Sequence, residues 1–282
     1  ELAVIYRVGV RETRIPSGRR PVAMTRDSMS NRVFVVNSLS DSVSVIDLSS
    51  NPKNKSISLG PVPENGPVER GELAFFNAKL SLEGWMSCQS CHTDGHTNNG
   101  LADTLGDGDF GAAKRVPTLR GVWSTGPWGW NGSQHQLHGQ IQKSLSSTMH
   151  HGVVADALVT DLTTYVSKLE RVPSVIVARD EEPHPSVGYK AREVFESAGC
   201  SVCHNGFTSY TTNDSFDVGL RDLQGNSNFN PPSLSGVSQR DRFFHDGRAG
   251  SLEEVLIRFK HPGETELTDS ERDVLISFLR AL

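Results

Sequence analysis

All four cysteines of this 282-residue chain fall in two copies of one short pattern. One copy is Cys88-Gln89-Ser90-Cys91-His92 and the other is Cys200-Ser201-Val202-Cys203-His204. C-x-x-C-H is the attachment signal of c-type haem. Both thiols bond to the porphyrin vinyl groups, and the adjacent imidazole reaches the iron from the proximal side. A two-residue spacer lets one helical turn present both sulfurs and the ring to a single porphyrin. A four-cysteine zinc site would leave His92 and His204 unexplained, and a thioredoxin-like dithiol needs a βαβ context that neither copy has. Two covalently bound haem c groups are therefore expected, on Cys88/Cys91 and Cys200/Cys203, with His92 and His204 as iron ligands. Such attachment takes place outside the bacterial cytoplasm. The expected location is the periplasm or an equivalent compartment, reached by a signal that residues 1–20 do not carry.

Composition fits a core completed by a cofactor. Only 36% of residues are hydrophobic, while Gly numbers 26 and Pro 14, which reads as loop-rich. The length fits one to two domains. No apolar run reaches 18 residues, so no membrane span is expected. A net charge of -5 without a basic block argues against nucleic acid as a partner.

Residues 1–66 read as β structure. Asn31–Asn37 is strand-like, Ser38–Asp41 is a turn, and Ser42–Asp47 alternates polar with apolar as a half-buried strand does. Ser56–Gly60 is a further candidate. With Phe34-Val35-Val36-Asn37 at its centre, the segment resembles one blade of the propeller repeats that carry a Tyr-Val-Thr-Asn signature. One blade cannot close a propeller, so upstream blades, a protein partner or the rest of the chain is expected to cover it. A small free-standing antiparallel sheet is the other reading.

Beyond the Gly60–Pro67 linker the chain repeats itself. Helices are expected at Val68 to about Leu80 and Ser186 to about Ala198, each leading into a Cys-x-x-Cys-His. Pro117-Thr118-Leu119-Arg120-Gly121-Val122 follows the first, and Pro232-Ser233-Leu234-Ser235-Gly236-Val237 follows the second. Pro117 to Gly132 and Pro232 to Gly247 are equal intervals. Closing helices are expected at Asp156–Leu169 and Asp269–Leu282, the latter opening with the capping box Thr268/Glu271 and the turn before it with Ser251/Glu254. The expected fold is mainly α: two tandem c-type cytochrome domains, 67–183 and 184–282, preceded by the antiparallel segment 1–66. A second Pro-rich hinge falls at residues 181–185.

These sub-motifs together resemble the bacterial dihaem cytochrome c peroxidase family, which includes the MauG-type enzymes. The resemblance covers residues 68–282. It rests on both Cys-x-x-Cys-His copies, Arg115–Arg120, Gly129-Trp130-Asn131-Gly132, and Phe244-His245-Asp246-Gly247-Arg248 with Ser251–Glu254. It implies an oxidoreductase that reduces hydrogen peroxide, or uses it to oxidise a protein, with the first haem peroxidatic and the second taking electrons from a small redox protein. It further implies Trp130 as a relay between haems, Gln140 lining the distal pocket, and His245 near the edge of haem 2. The family's distal acid–base Glu aligns without gaps on His150. An imidazole titrating near neutrality suits that task, while His150, His151 or Met149 are also able to close the iron. At haem 2 the family's Met or Tyr ligand falls on Phe259, which offers no lone pair. His261, His245 or an open site remain there. The alternative function is a dihaem electron-transfer module, or a redox subunit of a larger complex, without peroxidase activity.

Overall fold

The computed structural model describes residues 3–8, 11–49, 53–61, 64–105, 108–174, 179, 185–263 and 266–282. It divides into two compact units, Glu1–Glu69 and Arg70–Leu282. The hinge expected at 181–184 lies outside the described residues.

The first unit holds two antiparallel sheets. Strands β1 (Ala3–Val8) and β2 (Arg11–Pro16) form a hairpin. Strands β3 (Pro21–Arg26), β4 (Arg32–Asn37), β5 (Ser42–Asp47) and β6 (Lys53–Ser58) form a four-stranded meander in chain order. The alternation read from the sequence sets its faces. Val33, Val35 and Asn37 of β4 and Ser42, Ser44 and Ile46 of β5 are buried, and Ile15, Val33, Val35 and Ile46 make the core. Asn37 sits on that buried face because its amide donates to the Ser42 carbonyl and to Ser44 Oγ, 3.3 and 3.0 Å away. β6 is exposed along its whole length.

The second unit is built of short helices, tight turns and two-residue strand pairs, and with the sheets of the first unit the described residues form a mixture of helix and small antiparallel sheet. The chain is 36% helical and 15% strand. In the first half, α1 (Pro67–Phe75), the one-turn α2 (Cys88–Cys91), α3 (Leu137–Lys143) and α4 (Asp156–Ser167) enclose a core of Phe75, Leu137, Leu145, Val159, Leu162 and Val166. α1 meets α4 closely at Gly71, where a Cβ would collide with the Asp161 carbonyl. Arg70 clamps the same contact through both Asp161 oxygens, at 2.7 and 2.8 Å. In the second half, α5 (Pro185–Ser197), the one-turn α6 (Cys200–Cys203) and α7 (Asp269–Ala281) pack Val194 and Phe195 on Leu275, Ile276 and Leu279. α7 begins at the expected capping box, with Thr268 and Glu271 bonding reciprocally.

The internal repeat is geometric as well as sequential. Gly121 and Gly236 both take left-handed backbone, as do Gly132 and Gly247. Isolated bridges Trp128–Gln134 and Phe243–Ala249 stand at equivalent positions. Each half also carries a five-residue π turn, Ser144–Thr148 and Glu254–Arg258. At the latter, Ser251 Oγ accepts from the Glu254 N–H, but the Glu254 carboxylate turns to the Gly250 N–H, so the expected box is half made.

Candidate functional site

Each half encloses a cavity beside its own Cys-x-x-Cys-His turn. The first, about 290 Å³, is walled by Cys88, Cys91 and His92; the second, about 140 Å³, by Cys200, Cys203 and His204. The local reason is the same in both. A single helical turn puts both sulfurs on one side, and the His N–H closes it on the carbonyl of Cys88 or Cys200, 2.9 Å away. The ring then hangs beyond the turn. His92 Nδ1 lies 3.0 Å from the Pro117 carbonyl, and His204 Nδ1 lies 3.1 Å from the Tyr210 carbonyl. That bond fixes the tautomer and leaves Nε2 with its lone pair toward the cavity. Burial pushes both imidazoles down to about 4, so both are neutral and ready to ligate near pH 7. Burial also pushes the thiols of Cys88 and Cys200 up, to about 12 and about 11. Among the described residues no three His, Cys, Asp or Glu cluster as a metal cage.

The walls fit a porphyrin. Both cavities are lined mainly by apolar side chains, and the polar exceptions include buried atoms with no hydrogen-bond partner in the protein. Arg115 Nε and His245 Nε2 are two of these. His245 is 2% exposed, its ring stacked 4.2 Å from Phe229.

Trp130 lines both cavities. Its Nε1–H donates to the Arg115 carbonyl at 2.7 Å, and its ring meets His245 edge-on at 6.5 Å. Gln140 lines the first cavity and donates to Ser144 Oγ at 3.2 Å; Thr148 and Met149 line it as well. His150 does not. The π turn sends buried Met149 inward, and His150, in left-handed backbone, is exposed. His150, the residue expected in the distal acid–base role, is thus exposed and not part of this cavity's wall. His151 is half-buried and also absent from the wall. His261 lies in the second cavity wall, its ring centre 6.5 Å from that of His204 and 5.6 Å from that of Phe244.

Sequence reasoning missed Arg240, Asn230 and Phe244 as wall residues, and passed over Arg115 as a buried cation. Arg115, Arg240 and Asn230 line both cavities. No periodicity or spacing marks them, because they arrive from loops that meet only in three dimensions.

Residues 66–181 match the model of the di-haem cytochrome c peroxidase family. The methylamine utilization protein MauG of Methylorubrum extorquens is 27% identical over 79% of this chain and 81% of its own length. The cytochrome c551 peroxidase of Nitrosomonas europaea is 24% identical over 78% and 81%. In fold, the chain is similar to a chain of the Kuenenia stuttgartiensis hydrazine synthase, over 100% of each, at a TM-score of 0.63 and 19% identity. With paired cavities of this kind, a family-model match over residues 66–181 and relatives across most of its length, the chain is similar to the di-haem cytochrome c peroxidases and is, like them, an oxidoreductase enzyme.

Proposed function

We propose that the chain is an extracytoplasmic dihaem c-type peroxidase that reduces hydrogen peroxide, or uses it to oxidise a partner, at the first site with electrons relayed through the second. The observation that carries this reading is the asymmetry of two like cavities joined by one wall. Cys88/Cys91 and Cys200/Cys203 would hold the porphyrins covalently, and His92 and His204 would ligate the irons, within domains 67–183 and 184–282. Bound haem iron supplies the redox chemistry.

The chain's own residues divide the labour. In the first cavity the Gln140 amide and the Ser144 and Thr148 hydroxyls are the hydrogen-bonding groups available to orient peroxide. His92 is the only imidazole in that wall among the described residues. In the second cavity His261 faces His204. Two metal–imidazole bonds of about 2 Å each, with about 1 Å more from each nitrogen to its ring centre, span roughly 6 Å. The 6.5 Å between the two ring centres suits one iron held by both. Trp130, on the shared wall, is the relay, and His245 packs at the edge of the second porphyrin. A small redox protein is the expected donor. The exposed strand β6 supports a protein partner or further blades at residues 1–66.

The resting absorption and EPR spectra test the reading together with peroxide turnover on a reduced small donor. One high-spin haem, one low-spin haem and turnover are expected. Met149, 5% exposed and in the first cavity wall, favours a second reading in which its thioether closes the first iron. Two low-spin haems without turnover would establish that electron-transfer module instead.

A further inference from the structure

Two arginines are buried in the wall that the cavities share. Arg115 is 3% exposed, held on the two-residue strand Lys114–Arg115 that pairs with Leu101–Ala102, and its N–H donates to the His245 carbonyl at 2.6 Å. Arg240 follows the 3-10 turn Val237–Gln239. Among the described residues neither guanidinium forms an ion pair. Arg240 reaches only the Ser233 and Ser235 carbonyls, and Arg115 Nε has no partner at all. Arg115 lies 5.5 Å from the Trp130 ring centre. Burial depresses the basicity of both, Arg115 depresses that of Arg240 further, and the Asp241 carboxylate partly offsets the effect on Arg115. Neutral carbonyls and an aromatic face do not cancel a buried charge, and folded proteins avoid burying two cations together without an anion. Asp241 acts on Arg115 without forming an ion pair, and Arg240 feels no such carboxylate, so further negative charge has to arrive with what fills the cavities.

We propose that Arg115 and Arg240 form one cationic bridge between the two haem sites, binding propionate carboxylates from both porphyrins. The inference rests on the dihaem reading above. A porphyrin's carboxylates are the only charges it brings, and a guanidinium is the side chain that pairs a carboxylate bidentately in a dry site. Because both arginines line both cavities, one substitution reaches both haems. A cation at that distance favours the reduced, less positive iron, so the bridge sets the two reduction potentials jointly.

The test is a spectroelectrochemical titration of the holoprotein and of Arg115→Gln and Arg240→Gln, with resonance Raman spectra of the propionate bending modes. Both reduction waves are expected to move to lower potential in each variant, and propionate bands of both haems are expected to shift. Arg115→Lys keeps the charge and is expected to keep most of the potential while losing the bidentate Raman signature. It stands in if the Gln variant does not fold. Waves and Raman bands that stay in place with both haems attached would overturn the bridge. A shift of one haem alone would also overturn it, leaving a single-site counter-ion. Haem staining of a denaturing gel separates this from the parent reading: fewer than two covalent haems in the unsubstituted protein would sink the dihaem reading itself.

Discussion

In the first half the π turn Ser144–Thr148 delivers Met149, exposed His150 and half-buried His151; in the second, the π turn Glu254–Arg258 delivers Phe259, Lys260 and the cavity-lining His261. The backbone is the same. Met149 and Phe259 close their turns on Ser144 and Glu254, at 2.9 and 3.0 Å; His151 and His261 bond to Leu145 and Val255, at 2.9 and 3.1 Å; and His150 and Lys260 are both left-handed. The difference lies in what waits opposite. Phe244 meets both Phe259 and His261 edge-on, at 5.2 and 5.6 Å, and seats the imidazole. The repeat, counted from Pro117 and Pro232, puts Gly129 at the place of Phe244, and both are left-handed. With no ring there, the first cavity is the larger and His151 has no aromatic seat beside it. On the proposed reading, one scaffold thus yields an open distal side and a closed one, with a glycine at the first place and a phenylalanine at the second.

The largest expected effect comes from removing one attachment site at a time. Cys88→Ala/Cys91→Ala and Cys200→Ala/Cys203→Ala should each abolish one of two covalent haems, read as half the haem stain per chain on a denaturing gel. Retention of both, in either variant, would mean that the motifs do not do the attaching.

Next is the closed side. His261→Ala should convert the second haem from low to high spin, read by EPR, while His151→Ala leaves the spectrum unchanged. If His151→Ala altered the first haem instead, the contrast between the two turns would be lost.

Gly129→Phe should turn the open side toward the closed one. A Cβ there comes 3.7 Å from Gln140 Oε1, so a ring competes with peroxide for the distal space. Turnover should fall about tenfold or more, equivalent to at least ~1.4 kcal/mol of barrier. Left-handed backbone at a non-glycine residue costs on the order of 1–3 kcal/mol, yet Phe244 already bears it. Unchanged kcat/KM would show that Gly129 does not set access.

The smallest effect concerns the tie between halves. Asp222 Oδ2 meets Lys114 Nζ at 3.1 Å, with the carboxylate 2% exposed. Burial pushes this acid up, but the Asn226 bonds and the Lys114 ammonium outweigh it and hold it at about 2, below the ordinary 3.8. Its folded value is depressed, so its stabilisation is complete above about pH 4 and is lost as pH falls through about 2. Asp222→Asn should cost on the order of 1–2 kcal/mol at pH 7, with the cost fading as the pH falls through about 2, by denaturant unfolding. A cost that does not vanish in acid would assign the loss to packing.

The helices were legible for a physical reason: α4 carries Val159, Leu162 and Val166 on one face, and α7 announces its start through Thr268 and Glu271. Local rules suffice where a segment's own periodicity and caps decide its conformation. Which residue of this turn lines the cavity was not legible, because counting twenty residues from Trp130 lands on exposed His150. The π turn adds a residue to the helical count there and rotates Met149 inward in its place.

By itself the sequence determined the two Cys-x-x-Cys-His turns, since thiol, thiol and imidazole are placed by one turn of backbone. It also determined the repeat that puts them on like scaffolds, and the strands β4 and β5 with their alternating faces. Only the tertiary structure decided that Trp130, Arg115 and Arg240 share a wall, that His261 faces His204, and that Gly129 leaves open what Phe244 fills. Those relations join residues tens of positions apart through loops with no regular period. Their partners are set by how the halves pack rather than by any local preference of the chain.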